Sequence, residues 1–138
     1  MTATLKILRD DDARRAAISG HGRSVLVEAG AGSGKTAVMA GRIAAMLAGG
    51  TSPKSIAAVT FTELAASELL VRVRDFVNDL AAGKIPTELK IAFPDGLSEQ
   101  HKANLEAAAT HIDEITCSTI HGFCQRLIKP YPVEANID

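Results

Sequence analysis

Cysteine is scarce in this chain: two of its 138 residues, Cys117 and Cys124, carry a thiol. Two thiols are too few to staple a scaffold of this size, so no disulfide framework is expected and a reducing compartment is the expected setting. Long apolar runs are missing as well. No stretch approaches the roughly 18 to 20 residues that a membrane span needs, and Met1 to Arg9 lacks the basic start and apolar run of a secretory signal. A soluble, cytoplasmic protein with no membrane contact is expected. Charge of one sign is not in excess either, since 15 Lys+Arg oppose 16 Asp+Glu for a net charge of -1. Any nucleic-acid contact must then rest on locally placed groups, and the charge total neither supports nor excludes DNA. Internal repeats and low-complexity tracts are absent. What is present, 46% hydrophobic and 22% charged residues, is the composition of an ordinary globular domain and excludes a disordered or fibrous chain.

Ser24 to Glu28 is a short β-prone run that stops at a Gly-rich stretch, the pattern of a buried strand feeding a tight turn. Thr36 to Ala48 then reads as a helix, with Val38, Met39, Ile43, Met46 and Leu47 as its apolar face and Gly49-Gly50 to stop it. Ile56 to Phe61 is a second strand, and strand, helix and strand with short joins predict a parallel βαβ unit. From Glu63 a long helix is predicted by Leu69, Val73, Phe76, Val77 and Leu80, closed by Gly83. Residues 84–97, with Pro86, Pro94 and Asp95-Gly96, show no period and read as an irregular insertion. Ser98 caps a third helix running to about Ile112, and Glu114 to Ser118 is a third strand. Thr119 caps a last helix whose stripe of Ile120, Phe123, Cys124, Leu127 and Ile128 is expected to be buried, with Pro130 ending it.

The strongest chemical signal is Ala29-Gly30-Ala31-Gly32-Ser33-Gly34-Lys35-Thr36, set between a predicted strand and a predicted helix. Small residues let the backbone wrap a phosphate without Cβ clashes, so successive N–H groups point at its oxygens and the helix N-terminus adds partial positive charge. Lys35 supplies a point charge to the β and γ phosphates, and Thr36 offers a hydroxyl to Mg²⁺. The strict pattern begins with Gly where Ala29 stands, a small change with Gly30 following. Nucleoside triphosphate binding is the expectation. The loop alone does not name the reaction, because kinases, GTPases, transporters and helicases share it.

Two further stretches narrow the class. Val59 to Leu69, read V-T-F-T-E-L-A-A-S-E-L, and Ser118 to Leu127, read S-T-I-H-G-F-C-Q-R-L, resemble the second and third motifs of UvrD/Rep-type superfamily 1 DNA helicases. The third motif is most similar to the RecB/AddA branch, the helicase subunits of recombination nuclease complexes. The resemblance runs from about Asp11 onward and rests on three ordered motifs. It implies an α/β, RecA-like P-loop fold, a parallel sheet with flanking helices that is incomplete in this chain. It further implies ATP and Mg²⁺ as cofactors, single-stranded DNA or DNA ends as substrate, and other subunits of a helicase–nuclease complex as partners. Thr60, Phe61 and Thr62 fall at the C-terminal end of a predicted strand, the edge where open α/β sheets bind ligands. The family places an aromatic here against DNA bases; a core residue at a strand end is the competing reading of Phe61. Thr119 and His121 open the last helix at the same edge, where free N–H groups and a hydroxyl suit a DNA phosphate, although Thr119 serves equally as a plain cap and His121 as a surface residue.

Other groups point away from chemistry. Asp113-Glu114 imitates the Asp-Glu pair that helicases use for Mg²⁺ and water, but it precedes its strand and should lie at the opposite sheet edge. The hydrolytic acids are therefore expected outside this chain. Arginine stands at Arg14, near where the family's adenine-reading glutamine is expected, so adenine preference follows from kinship alone. His111, Cys117, His121 and Cys124 lack the spacing of a structural zinc site. Arg42, Arg72 and Arg74 read most simply as solvated helix faces, with contact to a DNA backbone as the lesser alternative.

Together these features describe the N-terminal part of a helicase motor domain, a fragment expected to bind nucleotide without sustained hydrolysis and to leave one sheet edge unpaired. A stand-alone nucleotide-binding module without DNA or motor is the alternative, and a small P-loop kinase a third.

Overall fold

The computed structural model describes residues 17–19 and 35–128. In chain order the main elements are α1 (Lys35–Ala48), β1 (Ala57–Thr60), α2 (Glu63–Ala81), α3 (Glu99–Ala109), β2 (Thr116–Thr119) and α4 (Ile120–Ile128). The two described strands pair in parallel, with Ala57 opposite Thr116 and Thr60 opposite Thr119. Parallel neighbours require a crossover, which α2 and α3 supply. The arrangement is α/β, a small parallel sheet flanked by helices. The strand expected over 24–28, its pairing with β1, the loop residues 29–34, Arg14 and Pro130 lie outside the described residues.

Local chemistry sets the helix ends. Gly50 adopts φ +100°, and past α1 the N–H of Thr51 donates to Met46 O at 3.0 Å while that of Gly50 donates to Leu47 O at 3.1 Å. These bonds satisfy carbonyls that a helix end otherwise leaves bare. Asn104 Nδ2 adds a bond of 2.8 Å to Ala48 O. The Thr62 hydroxyl caps α2 by accepting from Ala65 N–H at 3.0 Å. At α3, Ser98 Oγ accepts from His101 N–H while His101 Nδ1 accepts from Ser98 N–H, a reciprocal box. α3 ends at Ala109, short of the expected Ile112, because Ile112–Glu114 forms a separate tight turn. β2 runs to Thr119, one residue beyond the expected strand.

The core sits where α1, α2 and α3 meet against the sheet, and its fully buried side chains include Leu47, Leu69, Val73, Val77, Leu80, Leu89 and Leu105. Each such side chain contributes about 1.5–3 kcal/mol by leaving water. The apolar stripe predicted for α2 is buried at every position, with Ala66 added. α1 differs from expectation. Its buried face is Ala40, Gly41, Ile43, Ala44, Ala45, Leu47 and Ala48, while Met39 is 40% exposed. Small side chains bring a neighbour close: a Cβ on Gly41 would stand 3.0 Å from Leu89 Cδ2 and 3.4 Å from Ile18 Cδ1. Leu89 and Phe93 belong to the 84–97 stretch and enter the core through a turn at Thr87–Leu89. Arg42 is not on a solvated face. It is partly buried, and its guanidinium donates to Ala17 O at 2.8 Å, fixing the 17–19 stretch on α1.

The last helix departs most. α4 has no buried residue, Cys124 is exposed, and Ile120, Leu127 and Ile128 are 47%, 57% and 38% exposed. Its stripe is amphipathic as expected, with Phe123 half-buried, and among the described residues its contacts of any extent are with β1 and β2. Among the described residues no helix is long and apolar enough to cross a membrane.

Candidate functional site

Parallel register carries both strand ends to one edge. From there β1 passes through Phe61 and Thr62 into α2, and β2 passes directly into α4, so two helix N-termini open on the edge together. The Thr60 hydroxyl donates to Thr62 O at 2.8 Å, with a longer approach of 3.5 Å to Ser118 O across the strands. With Thr62 capping α2, these bonds bend the chain between them outward at Phe61, which is 89% exposed. The core reading of Phe61 is thereby removed. Thr119 Oγ1 accepts from Gly122 N–H at 3.0 Å and so caps α4, and His121 is exposed beside it.

A groove of about 310 Å³ runs between the start of α2 and the start of α4, lined by Glu63, Ser67, Ser118, Thr119 and Gly122 among others. Ser118 Oγ is buried there with no hydrogen-bond partner, a costly state for a hydroxyl. A wider open groove of about 790 Å³ runs from Thr36 along α2, past Ser67, Glu68, Arg72 and Asp75. Ser67 lines both grooves and links the Thr36 end of α1 to the strand edge. Lys35 and Thr36 are exposed at the first turn of a 14-residue helix that holds no acid there, leaving its positive pole uncompensated.

A family model described as the UvrD/REP helicase N-terminal domain matches residues 10–138. The chain belongs to the UvrD/REP helicase N-terminal domain family. Similar proteins include an ATP-dependent helicase/nuclease subunit of Ligilactobacillus salivarius, 32% identical over 126 residues that make up 91% of this chain and 9% of that protein. The protein of the same name from Limosilactobacillus reuteri is 35% identical over 127 residues, 91% of this chain and 8% of the relative. That of Latilactobacillus sakei is 32% identical over 118 residues, 86% of this chain and 12% of the relative. The chain thus spans about a tenth of the length of these relatives.

Within this helicase domain the residues set aside from the sequence fall away from the edge. Asp113 and Glu114 lie in the turn before β2, at the other end of the strand, where Glu114 Oε2 approaches His111 Nδ1 at 3.4 Å. A groove of about 330 Å³ at that end is lined by Gly50, Lys54, Asn104, His111 and Glu114 among others. Cys117 Sγ donates to Ala66 O at 3.0 Å. Burial pushes the Cys117 thiol up from its ordinary value, and a backbone hydrogen bond at Leu70 opposes this to a lesser degree. Among the described residues no group of three or more His, Cys, Asp or Glu is placed to hold a metal ion. Arg72 Nη1 lies 4.0 Å from Glu88 Oε2, both half-exposed, and Arg74 is exposed on α2.

Several residues at the edge lie inside the two quoted motifs but were given no role of their own from the sequence: Glu63, Leu64, Ser67 and Ser118. Leu64 is 69% exposed. Its signal was present, because it falls off the helical stripe defined by Leu69, Val73, Phe76, Val77 and Leu80. Ser118 opens the third motif, but the burial of its hydroxyl without a partner is a matter of packing and has no sequence signal.

Proposed function

We propose that this domain is the triphosphate-binding part of an ATP-dependent DNA helicase of the RecB/AddA type, which translocates on single-stranded DNA and unwinds duplex in recombination or repair. The observation that carries the reading is the meeting of Thr60, Phe61, Thr62, Thr119 and His121 at one edge of a parallel sheet. Ligands of open α/β sheets bind at that edge. The donor set at the head of α1 fits a polyphosphate: an exposed ammonium, an exposed hydroxyl and a helix N-terminus free of acids. The backbone of Ala29 to Gly34 and the ammonium of Lys35 would hold the phosphates of ATP, and the Thr36 hydroxyl would hold Mg²⁺. Bound there, ATP supplies the free energy that a motor spends on moving along its strand.

At the strand edge, Phe61 offers a face on which bases of any identity stack, a contact of about 1–3 kcal/mol per base. Thr119, His121 and the first N–H groups of α4 position a phosphate without reading sequence. Ser118, whose buried Oγ lacks a partner, lines the same groove. The absence of any acid in the first turn of α4 favours an anion there. The relatives are named as helicase/nuclease subunits, which supports DNA as substrate and, as partner, a second protein of the same complex.

Two titrations test this. Calorimetry of the protein with Mg-ATP should give binding that Lys35→Ala abolishes. Anisotropy of a labelled single strand should give affinity that falls with salt and weakens when Phe61→Ala is introduced. Equal nucleotide affinity in the wild type and Lys35→Ala would refute the phosphate assignment, and salt-insensitive or absent strand binding would refute the motor.

A further inference from the structure

His101 has no part in the strand edge or the head of α1, yet its ring holds two partners. Nδ1 accepts the Ser98 N–H at 3.2 Å while Ser98 Oγ accepts the His101 N–H at 3.1 Å, closing the box that starts α3. The ring also meets Phe93, with centroids 5.4 Å apart and planes inclined at 75°. Phe93 is 8% exposed and ties the 84–97 stretch to the core.

A capping box ordinarily closes with glutamate or glutamine, whose side-chain oxygen accepts a hydrogen bond in every state of charge. Imidazole does not. Its Nδ1 accepts only while it carries no proton; once protonated it is a donor facing the Ser98 N–H, another donor. The added charge also sits in the first turn of an 11-residue helix, at its positive pole. Contact with Phe93 survives the same change, because an aromatic ring attracts a cation at such a distance. The two partners of the ring thus answer a proton in opposite ways.

Nothing around the ring takes over the lost bond. Among the described residues His101 forms no ion pair. Its charged neighbours are Glu99 and Lys102 on α3 and Lys90 and Asp95 on the 84–97 stretch, and every charged side chain of α2, which packs on α3, is exposed. Glu99 in the first turn offsets part of an added charge, but the Ser98 N–H is held by Nδ1.

We infer that His101 makes the cap of α3 proton-sensitive: the box is closed while the imidazole is neutral and opens when acid protonates it, freeing the Ser98 N–H and fraying the first turn while the ring stays on Phe93. The device stands apart from the proposed function and depends on neither nucleotide nor DNA.

NMR-detected amide exchange tests it, expressed as protection relative to an unstructured chain so that the intrinsic effect of pH cancels. Measurements at about pH 8 and about pH 5, on either side of the ordinary imidazole range, compare the wild type with His101→Gln and His101→Ala. The wild type should lose about threefold of the protection at Ser98 on acidification, with Phe93 unchanged. His101→Gln keeps an acceptor that does not titrate and should hold its protection at both pH values, whereas His101→Ala should show the low value at both. Equal protection of Ser98 at the two pH values in the wild type overturns the inference, and so does an equal loss in His101→Gln. A loss that spreads through α1 and α2 overturns it as well, because the change then belongs to the whole fold and not to the cap.

Discussion

Replacing Thr119 by Val keeps the β-branched shape that suits the end of β2 and removes one acceptor, the oxygen that holds Gly122 N–H at 3.0 Å. Losing a helix cap of this kind costs about 1 kcal/mol. Where that cost falls is decided by packing. α4 buries no residue, so its opening need not carry α1, α2 and α3 with it. The loss should appear as local opening rather than global unfolding: amide exchange over 120–128 should quicken about fivefold, the factor that corresponds to 1 kcal/mol, while exchange in α2 stays as it was. Hydrogen exchange followed residue by residue on the wild type and Thr119→Val reads both quantities together. Unchanged exchange over 120–128 would mean that the hydroxyl is not the cap, and equal acceleration in α2 would mean that α4 is part of the cooperative core. Either result defeats the reasoning. Single-strand affinity should fall in the same variant, because a frayed first turn no longer presents its N–H groups in fixed directions.

Leu80 is fully buried at 0% exposure, and Leu80→Ala should cost about 2–5 kcal/mol, read as a lower urea midpoint with an unchanged slope; a loss below 1 kcal/mol would show that the core refills the space. Asn104→Ala removes the 2.8 Å bond to Ala48 O at the end of the fold away from the strand edge. It should cost about 1 kcal/mol of stability and leave ATP and DNA affinity untouched, and a drop in either affinity would contradict the separation of the two ends. Cys117 should react with iodoacetamide more slowly than exposed Cys124 at mildly alkaline pH, since burial and the bond to Ala66 O hold its proton. The folded state binds that proton more tightly than the unfolded chain. Its contribution to stability is accordingly intact at neutral pH and is lost as pH rises past the ordinary thiol value and through the raised one. Cys117→Ala should flatten the alkaline limb of a stability profile, and an unaltered limb would assign the loss elsewhere.

The sequence was most readable where large side chains do the packing. α2 announced its buried face because Leu69, Val73, Phe76, Val77 and Leu80 repeat with the helix period. α1 did not, because its inner face is built from alanine and Gly41, whose value lies in allowing Leu89 and Ile18 to approach, and closeness has no periodic signature. Phe61 at a strand end fits a core or a surface equally well until the threonine bonds around it are known. The stripe on α4 was legible as a pattern, yet a pattern states only that a face is apolar. Whether something lies against it depends on the rest of the fold. The bond from Arg42 to Ala17 joins segments distant in the chain, and no local rule anticipates it.

Direction along a strand was the one tertiary fact that sequence alone could supply, and it separates the edge proposed to bind ligands from the opposite one. Thr60 and Thr119 are last in their strands and pair with each other, so their helices start side by side. Asp113 and Glu114 come before β2 and meet the opposite end, near the turn at Pro53–Ser55. A carboxylate pair at that end cannot serve a phosphate held by α1's first turn, whatever its resemblance to a catalytic pair. The polarity of a parallel strand thus assigns chemistry before any side-chain distance is measured. It also makes a discriminating demand of the proposed function: replacing Asp113 and Glu114 by Asn and Gln should leave any ATP turnover of the protein intact. A collapse of turnover in that double variant, with the fold preserved, would place the nucleotide at the wrong end of the sheet and overturn the assignment of Lys35 and Thr36.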